Sequence, residues 1–184
     1  MFYLIENNMQ SSSSYPLPQC MEDQLEEICL STQFPWYFIK ETTWLEEGVG
    51  GGYDSTSFSH VLVMDYQPVS LQYDLFESAL RCIAAVAEQP FTDIYRARLG
   101  LLYPDGKQHH NPHVDFEFPH TTALYYVNDA DGCTHFFKDS MVIQRHQPAK
   151  GRMIVFDGLQ LHASASPSKG VRVALNVNFR PRVC

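Results

Sequence analysis

The chain has 184 residues, 45% of them hydrophobic, with 12 Phe and 10 Tyr; that is enough apolar mass for one buried core and too much for a disordered chain. A formal net charge of -8 and a pI near 5.4 argue against a non-specific nucleic-acid binder, which needs a basic face to neutralise phosphates. Arg96, Arg98, Arg145 and Arg152 still offer material for a local basic groove.

Along the chain, Met1–Ile5 is apolar but lacks the basic flank of a signal peptide. No run reaches the roughly eighteen apolar residues of a membrane span. Residues 1–20, with Ser11–Ser14 and Tyr15-Pro16-Leu17-Pro18, read as an extended N-terminal segment. From Glu22 to Leu30, Leu25, Ile28 and Cys29 lie among carboxylates, as in a short amphipathic helix. Pro35-Trp36-Tyr37-Phe38-Ile39 is β-favouring. It leads to Gly48-Val49-Gly50-Gly51-Gly52, a flexible loop that is either a surface connection or a lid over a pocket.

Phe58–Tyr66 reads as a strand. A helix follows, with Ser70 as cap, Leu71, Leu75, Ala79, Ile83 and Val86 as its apolar stripe, and Pro90 as its stop. Strand-like runs occupy residues 94–103, 121–128, 133–137, 142–146, 152–157 and 171–179, separated by turns such as Pro104-Asp105-Gly106. Helices first and short strands after point to a mainly β fold with supporting helices, a sandwich or jelly-roll barrel in one domain. In the last run Val171, Val173, Leu175, Val177 and Phe179 alternate with Arg172, Ala174, Asn176 and Asn178, so the second set lines a cavity if the first meets the helices.

The five cysteines, Cys20, Cys29, Cys82, Cys133 and Cys184, are odd in number and widely spaced. Neither a disulfide framework nor a thiolate zinc site is indicated, and a reducing cytoplasm is expected.

The chemistry-bearing pattern is His113-Val114-Asp115 with His162 and Arg172 downstream. A histidine and a carboxylate two positions apart on a strand face the same way, and a distant histidine completes a two-histidine, one-carboxylate set that leaves coordination positions open. With 8 His in 184 residues, chance supplies roughly 0.5 such triplets per chain, so the triplet alone is weak. The conjunction with His162, Arg172 and Tyr103 is much rarer. Glu117 shares the parity of His113 and Asp115 but lies too far along to substitute. A guanidinium at Arg172 matches a carboxylate by forked donors, and the Tyr103 and Tyr126 hydroxyls can add hydrogen bonds or simply pack.

These residues resemble the 2-oxoglutarate- and iron(II)-dependent dioxygenases, prolyl 4-hydroxylase-like branch, of the small bacterial and phage type. The resemblance spans residues 94–181 and rests on Tyr103-Pro104, His113-Val114-Asp115, Tyr125-Tyr126-Val127-Asn128, Gly151–Asp157, His162 and Gly170–Leu175. It implies a double-stranded β-helix barrel in which His113, Asp115 and His162 bind Fe(II). It further implies that Arg172 holds the distal carboxylate of 2-oxoglutarate, assisted by Tyr103 and Tyr126. O2 is the implied co-oxidant, ascorbate an accessory reductant, and hydroxylation of a C–H bond the implied reaction. Peptidyl proline leads among substrates, within a wider class of peptides, proteins and small molecules. The chain departs from the pattern at Asp131-Gly132-Cys133-Thr134, where relatives often read Gly-Gly-Glu-Thr. Asp115 stands where a halogenase would carry a small residue. The rival classes are a non-catalytic jelly-roll binding module and a cupin-type metal enzyme that does not use 2-oxoglutarate.

Overall fold

Helix α2 (Tyr73–Val86) shows how the apolar pattern is used. Its buried residues are Phe76, Ala79, Leu80, Ile83 and Ala84, at the spacing of one helix face, and each large one contributes about 1.5–3 kcal/mol by leaving water. The expected stripe is partly corrected: Leu71 is 98% exposed, and Leu75 and Val86 are also exposed. The helix starts later than Ser70 implies, with Gln72 at its N-cap, and Ser70 instead forms a turn by accepting the Gln72 N–H at 2.9 Å while its hydroxyl meets His60.

In this computed structural model the described residues are 14–40 and 56–181. The Gly48–Gly52 loop lies outside them, as do residues 1–13. Helix α1 runs Gln19–Leu30, and the strands are β1 Tyr37–Ile39, β2 Ser57–Met64, β3 Gln67–Pro68, β4 Ile94–Leu102 and β5 Thr121–Tyr126. They continue with β6 Thr134–Lys138, β7 Met141–His146, β8 Met153–Asp157, β9 His162–Ser164 and β10 Arg172–Phe179. The short β3 and β9 were not legible as separate strands. Two hairpins turn on non-glycine pairs at positive φ, Asp65-Tyr66 and Asp139-Ser140, the geometry that matches the twist of paired strands.

The strands form two antiparallel sheets. The larger runs β1-β2-β4-β10-β5-β8 with β3 on β2, and the smaller runs β7-β6-β9. Among the described residues no ladder joins the two into a closed barrel, so the observed form is a two-sheet sandwich. One face of the large sheet carries Val173, Leu175, Val177 and Phe179 into a core with Phe76, Leu80 and Ile83 of α2 and Leu25 of α1. The opposite face meets the small sheet through Tyr126, Leu124, Ile154, Phe156 and Ala174 against Phe136. Thus the alternation in β10 does place its two sides as its sequence implies, apolar side to the helices and polar side between the sheets.

Helix α1 is tied down by its charges: Lys150 lies 2.6 Å from Asp23 and 2.5 Å from Glu26. Among the described residues no helix is long and apolar enough to cross a membrane, and Cys20, Cys29, Cys82 and Cys133 are free thiols.

Candidate metal and anion site

His113 is not on a regular strand. It makes an isolated bridge to His162, the first residue of β9, with reciprocal backbone hydrogen bonds of 2.9 and 3.0 Å. That bridge, rather than strand parity, brings the two imidazoles together, with ring centroids 4.8 Å apart. Each ring is oriented by its own neighbourhood. Nδ1 of His113 lies 3.0 Å from the Asn111 carbonyl, and Nδ1 of His162 lies 2.9 Å from the Gln160 carbonyl. A carbonyl only accepts, so both Nδ1 atoms carry a proton and Nε2 is the ring nitrogen each histidine has left to offer a cation.

Asp115 completes the group. The ligand atoms of His113, Asp115 and His162 all lie within 4.8 Å of one another. The carboxylate is held by three donors from the large sheet. Asn176 and Asn178 each donate an amide N–H to Oδ2 at 2.9 Å, and Arg96 lies 2.6 Å from Oδ1. Burial alone raises the Asp115 pKa, but Arg96, His162 and Arg98 together hold it well below the usual carboxylate range. Burial, then the neighbouring His162, lowers His113 to about 4. An anionic carboxylate, as at Asp115, and a neutral imidazole, as at His113, are protonation states that suit a divalent metal. Glu117 is exposed and outside the cluster.

The cleft beside this triad is lined by Ser57, Ser59, Arg98, Gly100, His110 and Arg172, with Leu124, Ala174 and Asn176 among others. Arg172 is 3% exposed. It donates to Thr134 Oγ1 at 2.9 Å, its Nε has no partner, and its pKa is lowered by burial. Among the described residues no carboxylate pairs with it, which leaves a buried cation in need of an anion.

The two tyrosines stand differently. Tyr126 is fully buried and donates its hydroxyl to the same Thr134 Oγ1 at 2.9 Å, with the Arg172 guanidinium 5.6 Å from its ring centre. Tyr103 hydrogen-bonds Thr56 and packs against Phe58. Neither tyrosine is among the residues lining the cleft.

Thr134, Arg96, Arg98 and His110 are site residues that sequence reasoning did not assign. His110 is buried, within 3.1 Å of both Asp105 and Ser166. The one signal for the arginines was the alternation Arg96-Ala97-Arg98-Leu99-Gly100, which puts both guanidiniums on the face of β4 that β10 turns toward the cleft. A surface basic groove is therefore not what they form: Arg96 is 9% exposed and paired with Asp115.

No family model and no curated protein matches the sequence. Solved structures do match in fold. A Pseudomonas putida prolyl-4-hydroxylase aligns at 16% identity and TM-score 0.58, covering 94% of each chain. An oxidoreductase of the 2OG-Fe(II) oxygenase family from Burkholderia pseudomallei aligns at 14% identity and TM-score 0.61, covering 87% of this chain and 78% of that one. The non-haem alpha-ketoglutarate-dependent epimerase SnoN from nogalamycin biosynthesis aligns at 14% identity and TM-score 0.61, covering 92% and 80%. With two antiparallel sheets, two helices and this alignment over most of its length, the chain has the fold of the 2OG-Fe(II) oxygenases.

Proposed function

We propose that the protein is an Fe(II)- and 2-oxoglutarate-dependent dioxygenase, one catalytic domain built as a double-stranded β-helix, that hydroxylates a C–H bond of its substrate. The observation that carries this reading is the meeting of His113, Asp115 and His162 within 4.8 Å in a cleft that also holds the buried Arg172, which no carboxylate pairs among the described residues. The donor set fits a ferrous ion: two imidazoles whose Nε2 atoms are left to face it and one ionised carboxylate, in the arrangement that leaves positions open. The orphaned Arg172 fits the distal carboxylate of a keto-diacid.

When bound, iron and 2-oxoglutarate supply the oxidative chemistry, releasing succinate and carbon dioxide as one atom of O2 enters a C–H bond. The chain's own residues orient these partners. The Asn111 and Gln160 carbonyls fix the tautomers, Asn176, Asn178 and Arg96 hold the Asp115 carboxylate, and Thr134 holds Arg172. Tyr126 contributes by positioning Thr134, and Tyr103 by holding the β4 end against Thr56. Prolyl peptides are the first substrates to try, supported by the resemblance of the motifs and by two prolyl hydroxylases among the structural neighbours. The free thiols fit a reducing, cytoplasmic setting.

The test is anaerobic addition of ferrous ion and 2-oxoglutarate, followed by oxygen in the presence of ascorbate and a prolyl peptide or metabolite extract. A visible charge-transfer band, succinate release and a one-oxygen mass gain are expected. A protein that binds iron but develops no band with 2-oxoglutarate is a cupin-type metal enzyme instead, and one that binds neither is a binding module.

A further inference from the structure

From the two ends of the cleft we infer that the substrate is an anion, and that Arg98 is the residue that selects it; this rests on the oxygenase reading above. In the large sheet the cross-strand row Ser59, Gly100 and Ala174 forms a floor of small side chains. A Cβ built at Gly100 would meet nothing within 4 Å, so this row leaves room rather than filling it. On one side of the floor lies the row of Arg172 and Leu102, and on the other the row of Asn176 and Arg98. The two guanidinium-bearing rows are four residues apart along β10, about 13 Å at the rise of a strand.

Both arginines line the cleft, and the buried Nε of each has no hydrogen-bond partner. Arg96, two residues before it along β4, has partners: it is ion-paired with Asp115 and donates from Nε to Asn178 at 2.9 Å. Arg98 makes no ion pair among the described residues, and Asp115, whose charge acts on it, already receives Arg96 and two amides. A keto-diacid clasped between the metal ligands and Arg172 would turn one carboxylate to each, leaving at most the second oxygen of the metal-side carboxylate for Arg98.

Charge points the same way. Among the described residues, three guanidiniums, of Arg96, Arg98 and Arg172, stand around the triad and cleft, with Asp115 paired to Arg96 and Asp105 held by His110. A divalent metal and a dianionic cosubstrate would cancel one another and leave Arg98 without an ion-pair partner among the described residues. Arg98 is half-buried with its Nε out of water and unpartnered, and an anion on that side of the cleft would satisfy it. The forked donors of a guanidinium suit a carboxylate or a phosphate. Phe58, also in the lining, sits opposite Leu101 and packs against Tyr103, so the apolar wall it gives lies toward the Arg172 row.

The experiment is an anaerobic titration of the protein loaded with ferrous ion and 2-oxoglutarate, reading the charge-transfer band as N-acetyl-L-proline, N-acetyl-L-prolinamide or inorganic phosphate is added. Wild type should respond to the carboxylate or to the phosphate, which separates the two sources, and at least about tenfold more weakly to the neutral amide. Arg98→Gln should weaken the anion response by about tenfold or more while 2-oxoglutarate affinity falls by less, and Arg98→Lys should recover part of the anion response. Equal responses to amide and acid, no response to either anion, or an unchanged anion response in Arg98→Gln would each overturn the inference. A larger loss for 2-oxoglutarate than for the anion would overturn it by assigning Arg98 to the cosubstrate. If wild type forms no band, the oxygenase reading fails by itself, and calorimetry of phosphate binding to the metal-free wild type and Arg98→Gln proteins decides the anion site alone.

Discussion

Arg96 and Asp115 face one another at 2.6 Å between the sheets, and Asn178 links them by accepting from Arg96 Nε and donating to Asp115 Oδ2, both at 2.9 Å. This closed set of three side chains fixes the only carboxylate in the candidate metal group.

Removing one member strands the others. Arg96→Met leaves the Asp115 charge buried with amide donors alone, and loss of one partner of such a pair costs about 3–5 kcal/mol. Chemical denaturation should show that loss in the metal-free protein, and Asp115→Asn in the same chain should restore part of it. A stability change below about 1 kcal/mol, the range of solvated pairs, would mean that water reaches the pair.

The metal reading predicts that His113→Ala and His162→Ala each lower iron content and succinate release together, since each removes one of three ligands. Iron is measured by metal analysis of the purified protein and succinate by mass spectrometry. Turnover retained in either variant would show that the wrong histidine is named.

Arg172→Ala should keep its iron but lose at least about thirtyfold in 2-oxoglutarate affinity, the scale of truncating one side of a buried charge pair. The band titration separates these two readouts. Unchanged affinity would remove Arg172 from the site.

Thr134 Oγ1 accepts from both Arg172 and Tyr126, so its loss leaves two buried donors unsatisfied, whereas loss of the tyrosine hydroxyl leaves the Arg172 contact intact. Thr134→Val should therefore raise the KM for 2-oxoglutarate by about tenfold, and Tyr126→Phe by less than about threefold. The reverse order would show that the Tyr126 hydroxyl contacts the cosubstrate directly.

The histidines set an acid limit on the metal-free fold. Burial is the leading cause that lowers His110, His135 and His146 below their ordinary value and brings His113 to about 4, against about 6.5 in the unfolded chain. Between these values the unfolded chain binds more protons, so stability falls as pH drops through the window from about 6.5 to 4. At about 1.4 kcal/mol per pKa unit, His113 alone removes on the order of 3 kcal/mol. Asp115 acts in the opposite sense and lower down: its depressed pKa contributes stability that is lost only below about pH 4. Thermal melts of the metal-free protein should show Tm falling below about pH 6.5; a flat Tm would mean that the rings are hydrated in the native state.

Much of this was legible in the chain itself. The alternation of β10 fixes which of its side chains face the helices, because successive strand residues point to opposite sides. The residue types His113, Asp115, His162 and Arg172 announce metal and carboxylate chemistry through their donor atoms alone. The helix stripe was legible only in part, because Leu71 and Leu75 fit the helical period as well as Phe76 and Leu80 do; periodicity names a face only relative to a start, and the start was set by a turn at Ser70.

What tertiary structure alone decided is partnership. His113 meets His162 through a backbone bridge between a loop and a three-residue strand, which no local pattern encodes. Asn176 and Asn178 reach Asp115 across 61 and 63 residues of sequence, and Arg96 is neutralised while Arg98, two residues on, is not. The sequence by itself determined which faces are apolar and which donor atoms exist, since those follow from side-chain chemistry and the period of the backbone. Which charges are paired, and which buried cation is left waiting for an anion, depends on distances between strands far apart in the chain, and only the packed sheets decide those.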